Sequence, residues 1–335
     1  MPDLPRISIV TPSFQQAEYL EECLRSVRDQ GYPHLEHVVV DGGSTDGSVQ
    51  VIERFAPGLR WWCSEPDRGQ SHAINKGWTH CSGEVMGWLN SDDALMPGAL
   101  QRVAEAFAED PGLLVLTGVR MRRERGRPDE PMPMEDASDT RKWFTEPRIN
   151  QQATFFRSSA LRAVGGVEEG LACVMDYELW LQLLFLHGTG CVRVVPWPLG
   201  IFRHHGASKT STLQARFVDE TASVLHGLCR STGLDHHADS LSLGHRLASP
   251  LRGIPAGPEH AALVEAMVVR FMLKWHYRVH VREEYAMMRH WRSGVEELPG
   301  LDEPLTQRLK DLDDDLRAPS WLLFRIRRKL KHLFP

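Results

Sequence analysis

Gly87-Trp88-Leu89-Asn90-Ser91-Asp92-Asp93-Ala94-Leu95-Met96-Pro97-Gly98-Ala99-Leu100 is the stretch on which the reading of this chain turns. The apolar run Val85 to Leu89 predicts the end of a buried strand, and Pro97 can open a helix, where its missing N–H costs nothing. In an open α/β sheet, ligands sit beyond the carboxyl ends of the strands. Adjacent Asp92 and Asp93 at such an end make a hard-oxygen site suited to Mg²⁺ or Mn²⁺ carrying phosphate oxygens. The same residues also fit a plain polar turn in which Asp92 or Asp93 caps the helix.

The chain on either side supports a sheet. Ile7 to Val10 is a β-branched run that ends at Thr11-Pro12-Ser13-Phe14, a strand feeding a loop. Leu20, Leu24 and Val27 follow at helical spacing, with Gly31 placed to end the helix. His37 to Val40 is a second strand, stopped by Asp41-Gly42-Gly43-Ser44-Thr45-Asp46-Gly47-Ser48 before a helix to Phe55. Leu59 to Trp62 is a third strand, followed by Glu65-Pro66-Asp67-Arg68-Gly69 and a helix carrying Ala73, Ile74 and Trp78. The order β-α-β-α-β-α-β-α predicts a mostly parallel sheet with flanking helices. Asp41, Asp67 and Asp92 each follow a strand, and like charges gathered at one sheet edge need a cation or hydrogen-bond donors. The glycine loops match neither GxGxxG nor Walker A, so a phosphate bound there needs a metal or basic side chains.

Composition narrows the class. The chain has 335 residues, enough for one large domain or two moderate ones, and a formal net charge of −5. That charge argues against a nucleic-acid binder driven by overall electrostatics. Six scattered cysteines without CxxC spacing suit a reducing cytosol. Met1-Pro2-Asp3 lacks the features of a signal peptide, and no stretch reaches the ~20 apolar residues of a membrane span. A cytoplasmic protein is therefore expected.

Beyond the strand Leu113 to Leu116, residues 120–148 read as an exposed excursion, either a mobile lid or a solvated loop. Gln151 to Phe156 is polar in front and strand-like behind, and Ser158 can cap a short helix. Residues 174–187 form an apolar helix stopped by Gly188. Asp176 lies at its start, as a cap or as a functional carboxylate. Val192 to Phe202 reads as a pair of short strands, after which Arg203-His204-His205 offers a diphosphate cradle. From 213 the chain is helix-rich, with Trp275, Tyr277, Tyr285 and Trp291 expected in the core. Residues 320–334 are basic and amphipathic. There Trp321, Phe324, Leu330 and Phe334 are expected either to enter an anionic membrane surface at its inner, cytoplasmic face, while Arg325, Arg327, Arg328, Lys329 and Lys331 meet headgroups, or to dock as a tail helix on the chain's own domain or on a partner subunit.

Taken together, these motifs resemble the family-2 glycosyltransferases, inverting enzymes with a GT-A fold that use nucleotide-sugar donors. The resemblance covers roughly residues 5–210. It implies a GT-A domain over 1–212, with a nucleotide-binding half at 1–118 and an acceptor half at 145–212, and a helical region over 213–335. Thr11, Pro12 and Phe14 resemble the first nucleotide-binding loop; Asp41 matches the residue that contacts the nucleoside. Asp67, Gly69, Asn75 and Ser91 fall on the nucleotide side. Asn90-Ser91-Asp92 stands in the place of the DXD motif, which implies Asp92, Asp93 and His205 as ligands of Mn²⁺ or Mg²⁺ and Arg203 beside the diphosphate. Gln151, Gln152 and Trp180 fall on the acceptor side, and Asp176 where the family carries its base. Two departures stand out: Asn90 replaces the first Asp of DXD, and Met175 replaces the acidic residue that often precedes the base. The resemblance further implies a UDP-sugar donor, a saccharide or lipid-linked saccharide acceptor, and bacterial surface-polysaccharide or lipopolysaccharide assembly. The rival readings are a sugar nucleotidyltransferase, although Thr11 to Gln16 lacks the basic residues a triphosphate needs, and a non-catalytic binding module.

Overall fold

The computed structural model describes residues 3–206, 208–248, 251–295 and 301–333, with side chains described through Arg327. The N-terminal half alternates as read: β1 (Ile7–Ser13), α1 (Ala17–Arg28), β2 (Leu35–Asp41), α2 (Ser48–Phe55), β3 (Trp61–Ser64), α3 (Gln70–Thr79) and β4 (Val85–Trp88). Next come β5 (Ala94–Leu95), α4 (Ala99–Glu109), β6 (Val115–Glu124), β7 (Glu130–Pro131), α5 (Lys142–Thr145), β8 (Thr154–Arg157), α6 (Ser158–Val164), α7 (Met175–His187), β9 (Val192–His204) and α8 (Lys209–Thr212). One sheet runs in the order β3-β2-β1-β4-β8-β6-β9-β5, with β7 paired to β6. β3, β2, β1 and β4 are mutually parallel, as are β6 and β9, while β8 runs antiparallel between β4 and β6.

The strands at the centre read as continuous apolar runs because helices cover both faces. Ile7, Ile9, Val85, Leu116 and Phe155 pack with Leu100, Val103 and Phe107 of α4 in one core cluster. Leu20, Leu24, Val39 and Ile52 form another, between α1, α2 and the sheet.

Four local expectations change. β1 continues through Pro12 to Ser13 because Pro12 pairs opposite Val40 of β2. Pro97 precedes α4 instead of opening it; Gly98, at φ +74°, is the cap, a conformation open to glycine at little cost. Asp92 and Asp93 therefore cap no helix. The expected pair of strands at 192–202 is the single strand β9, which follows β6 along its length through a register shift. Much of the 120–148 excursion is likewise ordered: β6 and β7 form a hairpin, Arg123 pairs with Glu22 and Asp129, and buried Glu135 accepts the Arg148 N–H at 2.6 Å.

His37 on β2 carries a measurable consequence of this burial. Its Nε2 lies 3.0 Å from the Thr11 hydroxyl, and desolvation pushes its pKa down to about 3. An unfolded chain takes up that proton near pH ~6.5. Between those values the unfolded state binds more protons, so stability present above pH ~6.5 is lost as pH falls. Urea unfolding should show His37 costing about 1 kcal/mol by pH 5.5, and His37→Gln should flatten that slope. Equal slopes for both proteins would refute it.

The chain divides into two compact units, 1–143 with 147–214, and 144–146 with 215–335. The second is helical: α9 (Gln214–Thr232), α10 (Asp235–Gly244), α11 (Ala261–Trp275), α12 (Arg282–Ser293), α13 (Glu303–Leu316) and α14 (Trp321–Leu333). Tyr285 and Trp291 are core residues as expected, whereas Trp275 is exposed. In α14, Phe324 is buried and stacks with half-buried Trp321 against Tyr285, so the Phe324 ring is committed to the protein interior. Leu322, Leu323 and Ile326 are the exposed apolar residues there. The side chains of Arg328, Lys329, Leu330 and Lys331, and the whole of Phe334, lie outside the described residues. No described helix is long and apolar enough to cross a membrane.

Candidate active site

The carboxyl ends of β1 to β4 open into a cavity of about 500 Å³ in the first unit, within the range of small-molecule sites. Pro12 at the end of β1 and Phe14, Gly42, Asp67, Gly69, Ser91 and Asp92 in the strand-end loops line it, with Phe202 from β9 and Ser208 and Lys209 from the segment after it. Phe14 is 59% exposed at the mouth. Its neighbour Gln15 holds φ +55°, with its N–H donating to the Ser44 hydroxyl at 2.7 Å. Such a conformation in a non-glycine residue is strain held by its surroundings, and it collects at functional loops. Gly69, at φ +112°, caps α3 and donates its N–H to Asp67 Oδ1 at 2.7 Å, which fixes that loop beside the cavity.

Several residues expected at the nucleotide lie beneath the cavity surface. Thr11 is fully buried against His37. Asp41 is also fully buried; its carboxylate accepts from the Gly43 and Ser44 N–H groups and the Ser44 and Ser64 hydroxyls, so it shapes the loop instead of lining the cavity. Asn75 points the other way. Its amide accepts from the Val167 N–H at 3.0 Å and donates to the Val167 carbonyl at 2.9 Å, bracing the segment after α6.

The acidic pair divides its labour. Asp92 keeps its side chain 20% exposed, and its Oδ2 lies 3.1 Å from His205 Nε2. Arg203 donates to the Asp92 carbonyl at 3.0 Å and to Glu22 at 2.6 Å. Asp93, expected as a second metal ligand, is 2% exposed with both oxygens committed. Oδ1 accepts the Arg203 N–H at 3.0 Å; Oδ2 accepts Gln152 Nε2 at 2.7 Å and Asn90 Nδ2 at 3.3 Å. Burial, reinforced by the Asp92 charge, pushes its pKa to about 7. Among the described residues no three His, Cys, Asp or Glu side chains converge on a metal position. The Asp92–His205 pair still fits Mg²⁺ or Mn²⁺, which bind through one or two side chains and keep water and phosphate oxygens as their other ligands.

The amide at position 90 has a structural reason. Gln151 Nε2 donates to the Trp88 carbonyl at 2.7 Å, which turns Gln151 Oε1 toward Asn90. Asn90 Nδ2 donates to that oxygen and to Asp93, both at 3.3 Å, while its Oδ1 accepts from Gln70 at 2.5 Å. An aspartate cannot donate, and its charge would stand beside two acceptors. Asn90→Asp should therefore lower stability by about 1–3 kcal/mol without tightening Mn²⁺ binding. A stable variant with stronger Mn²⁺ affinity by calorimetry would show that position 90 is a lapsed ligand.

The residues expected at the acceptor behave differently from one another. Gln151 and Gln152 are buried in the network just described. Trp180 is 2% exposed, with its indole N–H on the Trp143 carbonyl at 3.0 Å, and is a core residue. Asp176 is the second residue of α7, after the cap Val174, and its Oδ1 accepts the Tyr177 N–H at 2.9 Å. Burial raises its pKa, opposed by that N–H and by Arg120 and Lys209. Lys209 links it to the cavity wall, donating to Gln70 at 2.6 Å and to the Ala172 carbonyl at 2.8 Å. Phe202, Lys209 and Gln70 were not singled out from the sequence. Lys209 follows the Arg-x-His element closely enough that a search for further cations there would have found it.

A strand-edge cavity on a parallel sheet, joined to a mixed half by an antiparallel strand, defines a GT-A type of α/β protein. The family model "Glycosyl transferase family 2" matches residues 8–164. An uncharacterized glycosyltransferase of Mycobacterium tuberculosis is 33% identical over 200 residues, 58% of this chain and 75% of that protein. The O-antigen biosynthesis protein RfbC of Myxococcus xanthus is 27% identical over 75% of this chain and 20% of its own length. Among solved structures, S. aureus TarS 1-349 in complex with UDP-GlcNAc superimposes with a TM-score of 0.60 at 15% identity, over 97% of this chain and 92% of that one. The mannosyltransferase PcManGT from Pyrobaculum calidifontis, in complex with GDP-Man and Mn²⁺, gives 0.52 at 18% identity over 95% and 89%. The chain belongs to glycosyl transferase family 2 and is a glycosyltransferase, which sets aside the nucleotidyltransferase and binding-module alternatives.

Proposed function

We propose that this enzyme moves a sugar from a nucleoside diphospho-sugar to a hydroxyl of a saccharide or lipid-linked saccharide, with inversion, in the assembly of a bacterial surface polysaccharide. The observation that carries the reading is the strand-end cavity, with Asp92, paired to His205, on its wall and Asp176 within the electrostatic reach of Lys209, which also lines it. The setting is supported by the names of relatives: RfbC, an O-antigen biosynthesis protein, and TuaG of Bacillus subtilis, a putative teichuronic acid biosynthesis glycosyltransferase. UDP is the favoured nucleotide because TarS has been solved with UDP and with UDP-GlcNAc; the GDP-Man complex of PcManGT keeps GDP as the comparison arm.

In this reading the base stacks on exposed Phe14, and the diphosphate lies between Asp92 and Lys209. A divalent ion, Mn²⁺ or Mg²⁺, held by Asp92 and His205 would neutralise charge on the departing diphosphate. Arg203 braces that wall through the Asp92 carbonyl and Glu22. Asp176 takes the proton of the attacking hydroxyl as the new glycosidic bond forms at the anomeric carbon and the bond to the diphosphate breaks. The sugar carries oxocarbenium character at that moment, and attack from the opposite face inverts it.

Incubation with UDP-, GDP- and dTDP-sugars and Mn²⁺, following nucleoside diphosphate release, tests the proposal. Release from UDP-sugars in preference to the others is the expected result. Release only from GDP- or dTDP-sugars would correct the base, and retention of configuration in the product would overturn the mechanism.

A further inference from the structure

α14 has two apolar sides, and the second unit covers only one of them. The helix is seated on α12: just before it begins, the Tyr285 hydroxyl donates to the Ala318 carbonyl and Arg289 to the Pro319 carbonyl. The Phe324 ring then packs 5.4 Å from the centre of Tyr285 and 5.2 Å from that of Trp321, and Phe324 is 2% exposed. These contacts fix how the helix is turned. Leu322, Leu323 and Ile326 are left 68%, 47% and 46% exposed. By the helical period, Leu322 and Ile326 stand on the side opposite Phe324, with Leu323 next to them.

The other large apolar side chains exposed among the described residues, Phe14, Leu186, Leu243, Trp275 and Val281, come one to a segment, which is ordinary for a protein surface. Three within five residues of one helix form a patch, and such a patch marks a surface that is covered in use. Its borders say by what. By the same helical period Arg325 and Arg327 fall to either side of the trio. Arg325 is exposed, Arg327 is half-buried, and neither is ion-paired among the described residues. In sequence, α14 continues with Arg328, Lys329 and Lys331 and contains no acid. Of the acids of α13, Asp313 is bound to Arg292 at 2.7 Å and Asp314 to Arg317 at 3.1 Å, so they do not neutralise that charge. A second copy meeting this face about a two-fold axis would set cation against cation.

We propose that α14 is a docking helix for an anionic lipid surface: Leu322, Leu323 and Ile326 enter the interface while Arg325 and Arg327 reach its headgroups. Arginine stems are long enough to lie along the apolar boundary with their charge in the headgroup layer. The sequence alone places Trp321 and Phe324 in the lipid. Packed on Tyr285, they hold the helix to the protein instead, and the opposite side takes their place. Binding of this kind is reversible, and its strength depends on the apolar area buried and on the charge of the lipid. It does not depend on the reading of the transfer reaction.

The test is flotation of the full chain on vesicles of phosphatidylcholine alone and of two parts phosphatidylcholine to one of phosphatidylglycerol, at low and at high salt. Wild type is compared with a triple variant, Leu322→Gln with Leu323→Gln and Ile326→Gln, and with a double variant, Arg325→Gln with Arg327→Gln. None of the five side chains is buried, and glutamine is a good helix former, so the fold is expected to hold; thermal melting verifies it. Wild type is expected to float with the anionic vesicles at low salt, to be released at high salt, and to stay behind with phosphatidylcholine alone. Each variant should bind the anionic vesicles at least ~10-fold more weakly. Should one variant unfold, the other still decides the question. Wild type that ignores anionic vesicles, that floats equally on both lipids, or that is matched by a folded variant overturns the proposal. Light scattering supplies the last arm. A wild-type dimer that the triple variant converts to monomer would make this face a contact between copies and overturn the lipid assignment; equal masses support it.

Discussion

Asp176→Asn is expected to bind nucleotide and Mn²⁺ as wild type does and to lose at least ~10²-fold in sugar transfer. Asparagine keeps the size and the hydrogen bond from the Tyr177 N–H but cannot accept a proton at neutral pH. Val174, not Asp176, is the N-cap of α7, so the substitution removes no cap and stability should hardly change. Wild-type transfer should also carry an acid limb. Burial raises the Asp176 pKa above the ordinary carboxylate value near ~4; activity is therefore present above that raised value and lost as pH falls through it, since a protonated carboxyl is no base. Transfer by Asp176→Asn within a few-fold of wild type would remove Asp176 from the mechanism. Glu178, two residues further along α7 and buried, or Glu168 and Glu169 would then be examined by the same substitution.

Asp92→Ala is expected to abolish measurable turnover and to weaken Mn²⁺-dependent binding of UDP. The substitution takes away the carboxylate whose Oδ2 stands 3.1 Å from His205 Nε2, so both sides of the proposed ion's seat are lost together: one as a ligand, the other as an oriented imidazole. Arg203 should stay in place, because it contacts the Asp92 backbone carbonyl and Glu22 instead of the missing carboxylate. That separates a lost ligand from a collapsed wall. Calorimetric titration of UDP with and without Mn²⁺ reads the difference, and unchanged Mn²⁺-dependent binding would show that the ion sits elsewhere. His205→Ala gives the companion measurement, with a smaller loss expected because the carboxylate oxygen, the harder donor, remains.

The strand-end segment 85–100 was read correctly as far as the strand and the placing of acids beyond its end, and those are local properties. Alternating apolar runs and helical spacing depend on residues a few positions apart, so the βαβ order and the parallel half of the sheet are written in the sequence. The antiparallel partners were less visible. β9 reads as two short strands from sequence, yet it is one strand whose register shift against β6 accommodates Pro196 and Pro198. The stretch after Leu116 was taken for a solvated excursion because its arginines look like a surface run. Only the folded chain shows that Arg120 is half-buried against the Phe202 ring of β9 and that Arg123 is clamped by Glu22 and Asp129.

By itself, the sequence determined the family resemblance, which its ordered motifs carry, and the α/β order and the cluster of chemical residue types at the strand ends, which short-range periodicity and local spacing encode. What only the tertiary structure decided is which of those residues present free atoms to a ligand. Asp92 and Asp93 are neighbours of one type and both border the cavity, but the turn leaves the first beside His205 and commits both oxygens of the second to Arg203, Gln152 and Asn90. Asp41, Asn75 and Trp180 carry the right chemistry for binding, yet each spends its polar atoms on the protein. The reason is physical: a buried polar atom must find a partner inside the fold. Whether a side chain is part of the scaffold or part of the site therefore depends on where donors and acceptors end up in the fold, some from the next turn, as Ser44 for Asp41, and some from distant segments, as Arg203 for Asp93.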